Sequence, residues 1–313
     1  MTHINMELES RGFPALKSNS CDIQALLKPF AMDRPRQRQT LTARLRDAIS
    51  RHELSVHFQP QFETRGGHHC GVEALARWFL PNGESIQPAT FVRYAEHNGL
   101  IAALGSWVLN EACTTVAAWQ EGGEQPPVLC VNVSPLQISS EFLAVLAGTI
   151  ERTGFPAAKL ELEITEGILI ERPEFALDCI AQWKKLGVRI ALDDFGTGYS
   201  SLSYLSRLGV DRVKIDKSLI HRMTADPKTA AIVRAVISLG ADLGFAVLAE
   251  GVESEAQLTM LSGMGCQQVQ GYLLARPACA EEARALLAVN WGRRRLPRPR
   301  FTARSATARA SAC

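Results

Sequence analysis

Val188-Arg189-Ile190-Ala191-Leu192-Asp193-Asp194-Phe195-Gly196-Thr197-Gly198 runs a mostly apolar segment straight into two adjacent carboxylates and then into a loop with two glycines. The pattern is that of a strand delivering negative charge to a site. Ionised carboxylates cost several kcal/mol each to desolvate without a partner, so such a pair implies a shared proton or a cation.

On both sides of this stretch, short apolar runs alternate with amphipathic helical stretches from Leu41 to about residue 289. Strands are expected near 54–60, 70–77, 127–133, 160–165, 188–194, 210–216, 245–250 and 267–272. Helices are expected over Leu100 to Gln120, Ser140 to Thr153, Phe175 to Leu186 and Thr229 to Leu243. Eight strands with intervening helices in about 250 residues match a parallel α/β barrel. The first link departs from that pattern. Only about ten residues, Phe62 to Gly71 with the Gly66-Gly67 pair, separate the first two strands, too few for a crossover helix. The expected fold is therefore a TIM-like (β/α)8 barrel variant with an antiparallel first strand.

The strand ends carry Glu73, Asn132, Glu163, Asp193 with Asp194, Lys214, Glu250 and Gln270, each in an apolar setting such as Val213-Lys214-Ile215. In a barrel the C-terminal strand ends converge on one mouth, so residues almost 200 positions apart can meet. Any one of them alone fits a satisfied core ion pair. As a set, five carboxylates against one lysine leave uncompensated negative charge that two divalent cations would bring near balance. Oxygen ligands without His or Cys point to Mg2+ or Mn2+, two per site. Two such ions suit in-line displacement at phosphorus, which predicts phosphodiester hydrolysis. Asp193 is the natural bridging ligand, with Glu73, Asn132 and Glu163 completing one metal, Asp194 the other, and Glu250 near the second through water. Lys214 suits two roles, handling the attacking water or stabilising the charged phosphorane, and both stay open.

The 313 residues are 46% hydrophobic, ordinary for a chain that buries one large core or two modest ones. No segment approaches a membrane span, and Met1 to Ser10 has no apolar core of signal-peptide length, so a cytoplasmic location is expected. Eight scattered cysteines without a Cys-x-x-Cys indicate neither a disulfide framework nor a zinc site. The net charge of +2 hides an asymmetry: residues 292–313 hold seven arginines and no acid, and without those seven the remaining 27 basic residues face 32 acidic ones, a balance of −5. Three parts are expected: a flexible lead-in over 1–40, one catalytic domain over 41–289, and an Arg-rich, disordered tail over 290–313. No specific nucleic-acid or membrane partner is indicated, although the tail suits contact with anionic surfaces.

Glu73-Ala74-Leu75-Ala76-Arg77-Trp78 resembles the signature of EAL-domain phosphodiesterases, which cleave cyclic di-GMP to linear pGpG. The resemblance extends through Phe58-Gln59-Pro60, Val131-Asn132-Val133-Ser134, Glu163-Ile164-Thr165-Glu166, the Asp193-to-Leu202 stretch, Lys214-Ile215-Asp216, Ala249-Glu250-Gly251-Val252-Glu253 and Gln270-Gly271-Tyr272. It covers about residues 41–285. It implies the same barrel and two-metal site, with Glu73, Asn132, Glu163, Asp193 and Asp194 as metal ligands and Lys214 and Glu250 essential beside them. It further implies substrate contacts at Gln59, Leu75, Arg77, Glu253 and Tyr272, and Gln270 near the catalytic water. Arg77 suits its role because a guanidinium grips a phosphate or a guanine edge with two hydrogen bonds. Glu166 is implied to support the loop Phe195 to Ser201, next to which the family commonly forms homodimers. Departures at Phe58, Leu80, Gly167 and Gly209 remove no ligand. The alternatives carried alongside are a catalytically weak cyclic di-GMP receptor and a protein-interaction module on the same fold.

Overall fold

The structure, a computed structural model, describes residues 42–49, 53–80, 83–120, 126–167, 173–196, 205 and 207–288. The expected lead-in, the expected tail and all but the first two residues of the Phe195–Ser201 loop lie outside the described residues. All that follows concerns the unit from Arg46 onward, which holds nine strands among its described residues.

Leu54–Glu63 (β1) and His69–Phe79 (β2) form an antiparallel hairpin, with Gln59 opposite Glu73 and Gln61 opposite Gly71. Ser85–Ile86 (β3) adds two residues to the far end of β2. Val128–Val133 (β4), Leu160–Thr165 (β5), Arg189–Phe195 (β6), Arg212–Ile215 (β7), Ala246–Ala249 (β8) and Gln268–Val269 (β9) then follow in parallel. β9 returns antiparallel to β1 through Phe62 opposite Val269 and Glu63 opposite Gln268, which closes an eight-stranded barrel with β3 outside it. The barrel variant with an antiparallel first strand is the architecture observed.

Helices Pro88–His97 (α1), Ile101–Ala117 (α2), Ser140–Thr153 (α3), Pro173–Lys185 (α4), Lys217–Arg222 (α5), Pro227–Leu243 (α6), Glu255–Met264 (α7) and Ala280–Leu287 (α8) occupy the connections and the C-terminal side. Their starts are written locally. Asp226 accepts a hydrogen bond from Lys228 N, and Ser254 and Gln257 cap each other at the start of α7. None of these helices is long and apolar enough to cross a membrane.

In a barrel both faces of each strand are covered, so alternation separates two kinds of interior rather than core from solvent. In β5, Leu160, Leu162 and Ile164 are buried on one face, and Glu161 and Glu163 are equally buried on the other. The apolar outer layer includes Phe142 of α3 against Trp183 of α4, ring centroids 5.2 Å apart, and Phe58 of β1 against Trp119 at 5.1 Å.

The expected eighth strand, 267–272, shrinks to two residues. Gln270 N still bonds Ala249 O at 2.9 Å, but Gln270 O accepts from Val252 N at 3.0 Å and the chain is drawn away from the barrel. Gly271 makes this approach possible, because a Cβ there would collide with the backbone N and O of Val252. Gly271→Ala is therefore expected to lower stability by on the order of 3 kcal/mol, read as a fall in thermal midpoint. Gly263→Ala on α7, where a Cβ meets nothing within 4 Å, should instead stabilise by about 0.5–1 kcal/mol.

Candidate active site

Lys214 on β7 is fully buried, and its ammonium is the centre of the mouth of the barrel. Nζ lies 2.8 Å from Glu163 Oε2, 2.7 Å from Glu250 Oε1, 3.2 Å from Asp193 Oδ2 and 3.7 Å from Glu73 Oε1. Three N–H donors thus meet the three nearest carboxylates, with a fourth just beyond. Desolvation opposes the charge on Lys214, but Asp193, Glu163, Glu250 and Glu73 outweigh it and hold the amine well above its usual value.

One ammonium cannot neutralise the set, and the carboxyls divide accordingly. Burial pushes Glu163 well above the usual carboxylate range, partly opposed by Lys214 and reinforced by Glu73 and Asp193. Burial likewise raises Glu250 to about 8 despite Lys214, with Asp193 and Glu73 adding to the rise. Burial acts on Glu73 too, but Lys214, Gln270 and Asn132 overcome it and hold that carboxyl low. Its Oε1 accepts from Asn132 Nδ2 at 2.8 Å and its Oε2 from Gln270 Nε2 at 2.6 Å.

The end of β6 is irregular: the register with β7 slips between Leu192 and Phe195, and Asp194 has φ of 56°, alone among the described non-glycine residues in being positive. A bulge of this kind interrupts the pleat at the paired aspartates. Asp193 is buried and takes the Asp194 N–H on Oδ1 at 2.8 Å, while Asp194 is half-buried. Burial, Asp193 and Asp216 together raise the Asp194 carboxyl.

Asp193, Asp194 and Glu250 offer oxygens within 4.8 Å of one another. Glu163 keeps Oε1 buried with no hydrogen-bond partner among the described residues. An all-oxygen donor set with an orphaned buried carboxylate oxygen fits a hard divalent cation. A second group within the same span, Cys130, Glu161 and Glu163, does not. Arg212 and Arg189 approach the two Glu161 oxygens at 3.2 and 3.3 Å, and burial holds the Cys130 thiol protonated.

Seven predicted residues, Glu73, Asn132, Glu163, Asp193, Lys214, Glu250 and Gln270, are thus joined by direct contacts, and Gln59 joins them by accepting from Gln270 Nε2 at 3.0 Å. Asp194 adjoins through Asp193. Leu75 and Arg77 follow Glu73 at alternate positions of β2 and so share its face. Arg77 is half-buried, its pKa lowered by burial and partly restored by Tyr272 and Glu73. Tyr272 is half-exposed, with the Arg276 guanidinium 4.1 Å from its ring centre. Glu253 is exposed, 3.9 Å from His221, and makes no described contact with the carboxylate cluster. Glu166, just past β5, is buried, and neither of its carboxylate oxygens has a hydrogen-bond partner among the described residues.

A layer of buried polar residues below the mouth was missed by sequence reasoning: Gln61, Cys130, Glu161 and Arg212. Each sits two residues from a mouth residue, Gln59, Asn132, Glu163 and Lys214 respectively, and on a strand that spacing returns the side chain to the same face.

The EAL domain family matches residues 42–277. An uncharacterized signaling protein of Caulobacter vibrioides is 46% identical over 247 residues, covering 79% of this chain and 30% of its own length. The bifunctional diguanylate cyclase/cyclic di-GMP phosphodiesterase MucR of Pseudomonas aeruginosa is 41% identical over 245 residues, 78% of this chain and 36% of its own length. The chain thus spans about a third of the length of these relatives. Among solved structures, the PaMucR phosphodiesterase in its c-di-GMP complex matches with a TM-score of 0.75 and 40% identity, over 78% of this chain and 99% of that one.

The crowding of carboxyls makes stability depend on pH. Folded Glu250 keeps its proton to about pH 8, whereas the unfolded chain releases it near 4.5, so between those values the folded state binds more protons and stability declines as pH rises. In metal-free buffer the thermal midpoint is expected to fall across that window, and Glu250→Gln should make the fall shallower. An equally steep profile in the variant would remove Glu250 as its source.

Proposed function

The chain belongs to the EAL domain family, and we propose that it is a metal-dependent phosphodiesterase that hydrolyses cyclic di-GMP to linear 5'-pGpG. The observation that carries this reading is the gathering of Glu73, Glu163, Asp193 and Glu250 around one buried ammonium, with Asp193, Asp194 and Glu250 oxygens within 4.8 Å. MucR, named as a cyclic di-GMP phosphodiesterase, and its c-di-GMP complex support the choice of substrate.

Glu73, Asn132, Glu163, Asp193 and Asp194 would hold Mg2+ or Mn2+, two per site. Bound there, the cations supply charge neutralisation of the phosphate oxygens and an acidified water. Lys214 has its N–H groups directed at three carboxylates and no exposure to solvent, which favours a charge-stabilising role over that of a base. Gln270 holds one oxygen of Glu73 while Asn132 holds the other, so the carboxylate is oriented before any ligand arrives. Arg77, on the same face of β2 as Glu73, suits a phosphate or guanine edge, and Tyr272 offers an exposed ring beside it. Gln59, Leu75 and Glu253 complete the substrate contacts in this reading. Glu166, buried just past β5 with no hydrogen-bond partner among the described residues, suits support of the loop after Asp194. A homodimer working in the cytoplasm, with the catalytic domain at 41–289, belongs to the same reading.

The test is incubation of purified protein with cyclic di-GMP and Mg2+ or Mn2+, with products separated by chromatography. Metal-dependent pGpG that disappears with a chelator is expected. Dinucleotide binding without product would instead favour a receptor. Glu73→Ala should reduce turnover by more than about 100-fold while the circular dichroism spectrum is kept, and normal turnover in that variant would sink the metal assignment. Arg77→Ala should raise KM by roughly tenfold or more, with kcat less affected.

A further inference from the structure

Gln61 is fully buried inside the barrel, opposite Gly71, where a Cβ would lie 2.8 Å from Gln61 Oε1 and 3.0 Å from Val128 O. The missing side chain at Gly71 leaves the room that the Gln61 amide occupies. That amide joins the two polar layers of the barrel. Below, Arg212 Nη1 donates to Gln61 Oε1 at 2.6 Å and pairs with Glu161 at 3.2 Å. Above, Gln61 Nε2 donates to Gln270 Oε1 at 3.0 Å. Gln270 Nε2 then donates to Glu73 Oε2 at 2.6 Å and to Gln59 Oε1 at 3.0 Å, and Gln59 Nε2 donates to Ala275 O at 3.0 Å.

The direction of this chain is forced at both ends. A guanidinium has donors only, so the Gln61 oxygen must face Arg212. Its NH2 group must then face Gln270, which turns the Gln270 oxygen toward it and the Gln270 NH2 toward Glu73. An ionised carboxylate has acceptors only, so the far end demands the same polarity. Reversing any one amide sets donor against donor or acceptor against acceptor in a site without solvent, where each mismatch costs about 1–3 kcal/mol.

We infer that Gln61 is a positioning residue for the metal site: anchored by Arg212, it fixes the orientation in which Gln270 presents N–H to the Glu73 carboxylate. The inference rests on the phosphodiesterase reading only in taking Glu73 as a metal ligand. Outer partners of a metal ligand are commonly worth 10- to 100-fold in affinity, which sets the size of the effect.

Gln61→Glu distinguishes polarity from packing. The variant is nearly isosteric and keeps an oxygen for Arg212, and with the new carboxyl ionised, a state reached by repeating the measurement at rising pH, all of its hydrogen-bonding positions are acceptors. It has no donor for Gln270, however, so the Gln270 amide is turned over and its oxygen faces Glu73. The added negative charge taken alone would tighten divalent binding, the opposite sign. Gln61→Met removes both hydrogen bonds but imposes no reversal. A structural role predicts that Met is the more damaging change, whereas amide polarity predicts that Glu is.

Mn2+ binding to the full chain is measured by isothermal titration calorimetry without substrate, with thermal melts as the fold control and cyclic di-GMP turnover recorded in parallel. Gln61→Glu should raise the Mn2+ Kd by about tenfold or more, and Gln61→Met by less. Equal or tighter binding in Gln61→Glu overturns the inference, as does absence of Mn2+ binding by the wild-type chain. If Gln61→Glu does not fold, Gln61→Met decides: a raised Kd with an unchanged thermal midpoint supports the relay, and an unchanged Kd, or one that rises only together with a lowered midpoint, rejects it. Wild-type protein that binds Mn2+ but makes no product would sink the phosphodiesterase reading while leaving the ratio of Kd values to judge Gln61.

Discussion

One ammonium, buried with no solvent exposure, sits within 3.7 Å of four carboxyl groups. Removing charges from water costs several kcal/mol per ion after relaxation, and attraction offsets that cost only when geometry and hydrogen bonding are good. Lys214 meets the condition because β7 places it at the centre while neighbouring strands bring carboxyls from several directions. The residual negative charge is what the site has to offer a cation. The constraint also runs outward, since a strand displaced by one residue would turn its carboxyl away from the ammonium and its aliphatic neighbours into the barrel.

The barrel interior is built in two polar layers by the two-residue period of its strands. Gln59, Glu73, Asn132, Glu163 and Lys214 line the mouth, and Gln61, Gly71, Cys130, Glu161 and Arg212 lie one repeat below. In the lower layer Arg212 and Arg189 approach Glu161 and Arg212 donates to Gln61, with Glu161 Oε2 and Arg212 Nε left without hydrogen-bond partners among the described residues. In the upper layer Glu163 Oε1 is likewise without one. What separates the layers is charge: two guanidinium groups meet one carboxyl below, whereas four carboxyls meet one ammonium above, so the excess of acidic groups lies at the mouth.

Much of this was legible in the chain itself. Leu160–Thr165 carries its strand boundaries and its inward carboxylates in the alternation of Leu, Glu, Leu, Glu and Ile, and the short link with Gly66-Gly67 between the first two strands, residues 64–68 in the structure, had no room for a crossover helix. Glu250 and Gln270 were legible as members of one polar cluster but not in their placing just beyond β8 and β9, because the Val252–Gln270 backbone bond is a tertiary event. Asp194 gave no sign of its positive φ, which the end of β6 imposes. The lower layer stayed hidden for a different reason: Glu161 and Arg212 look like ordinary surface charges when read one strand at a time, and only the barrel sets them face to face. The reach of Glu253 and Glu166 toward a substrate or a loop is likewise not written in local pattern.

The seam between β9 and β1 is short, with two paired positions and the Thr64 N–Gln267 O bond beside them, supplemented by the side-chain amides of Gln59, Gln61 and Gln270. Its partners lie more than 200 positions apart, so the entropy of closing so long a loop comes before any gain from the contact. The seam is consequently the strand pairing with the longest loop to close. Growing from its N-terminal end, the chain completes the β1–β2 hairpin early and carries Glu73 in place, yet the amide that orients this carboxylate arrives with the last strand. Assembly of the barrel and maturation of its site are thereby one step, and a chain arrested before β9 holds nearly all of the acidic residues without the geometry that gives them a use.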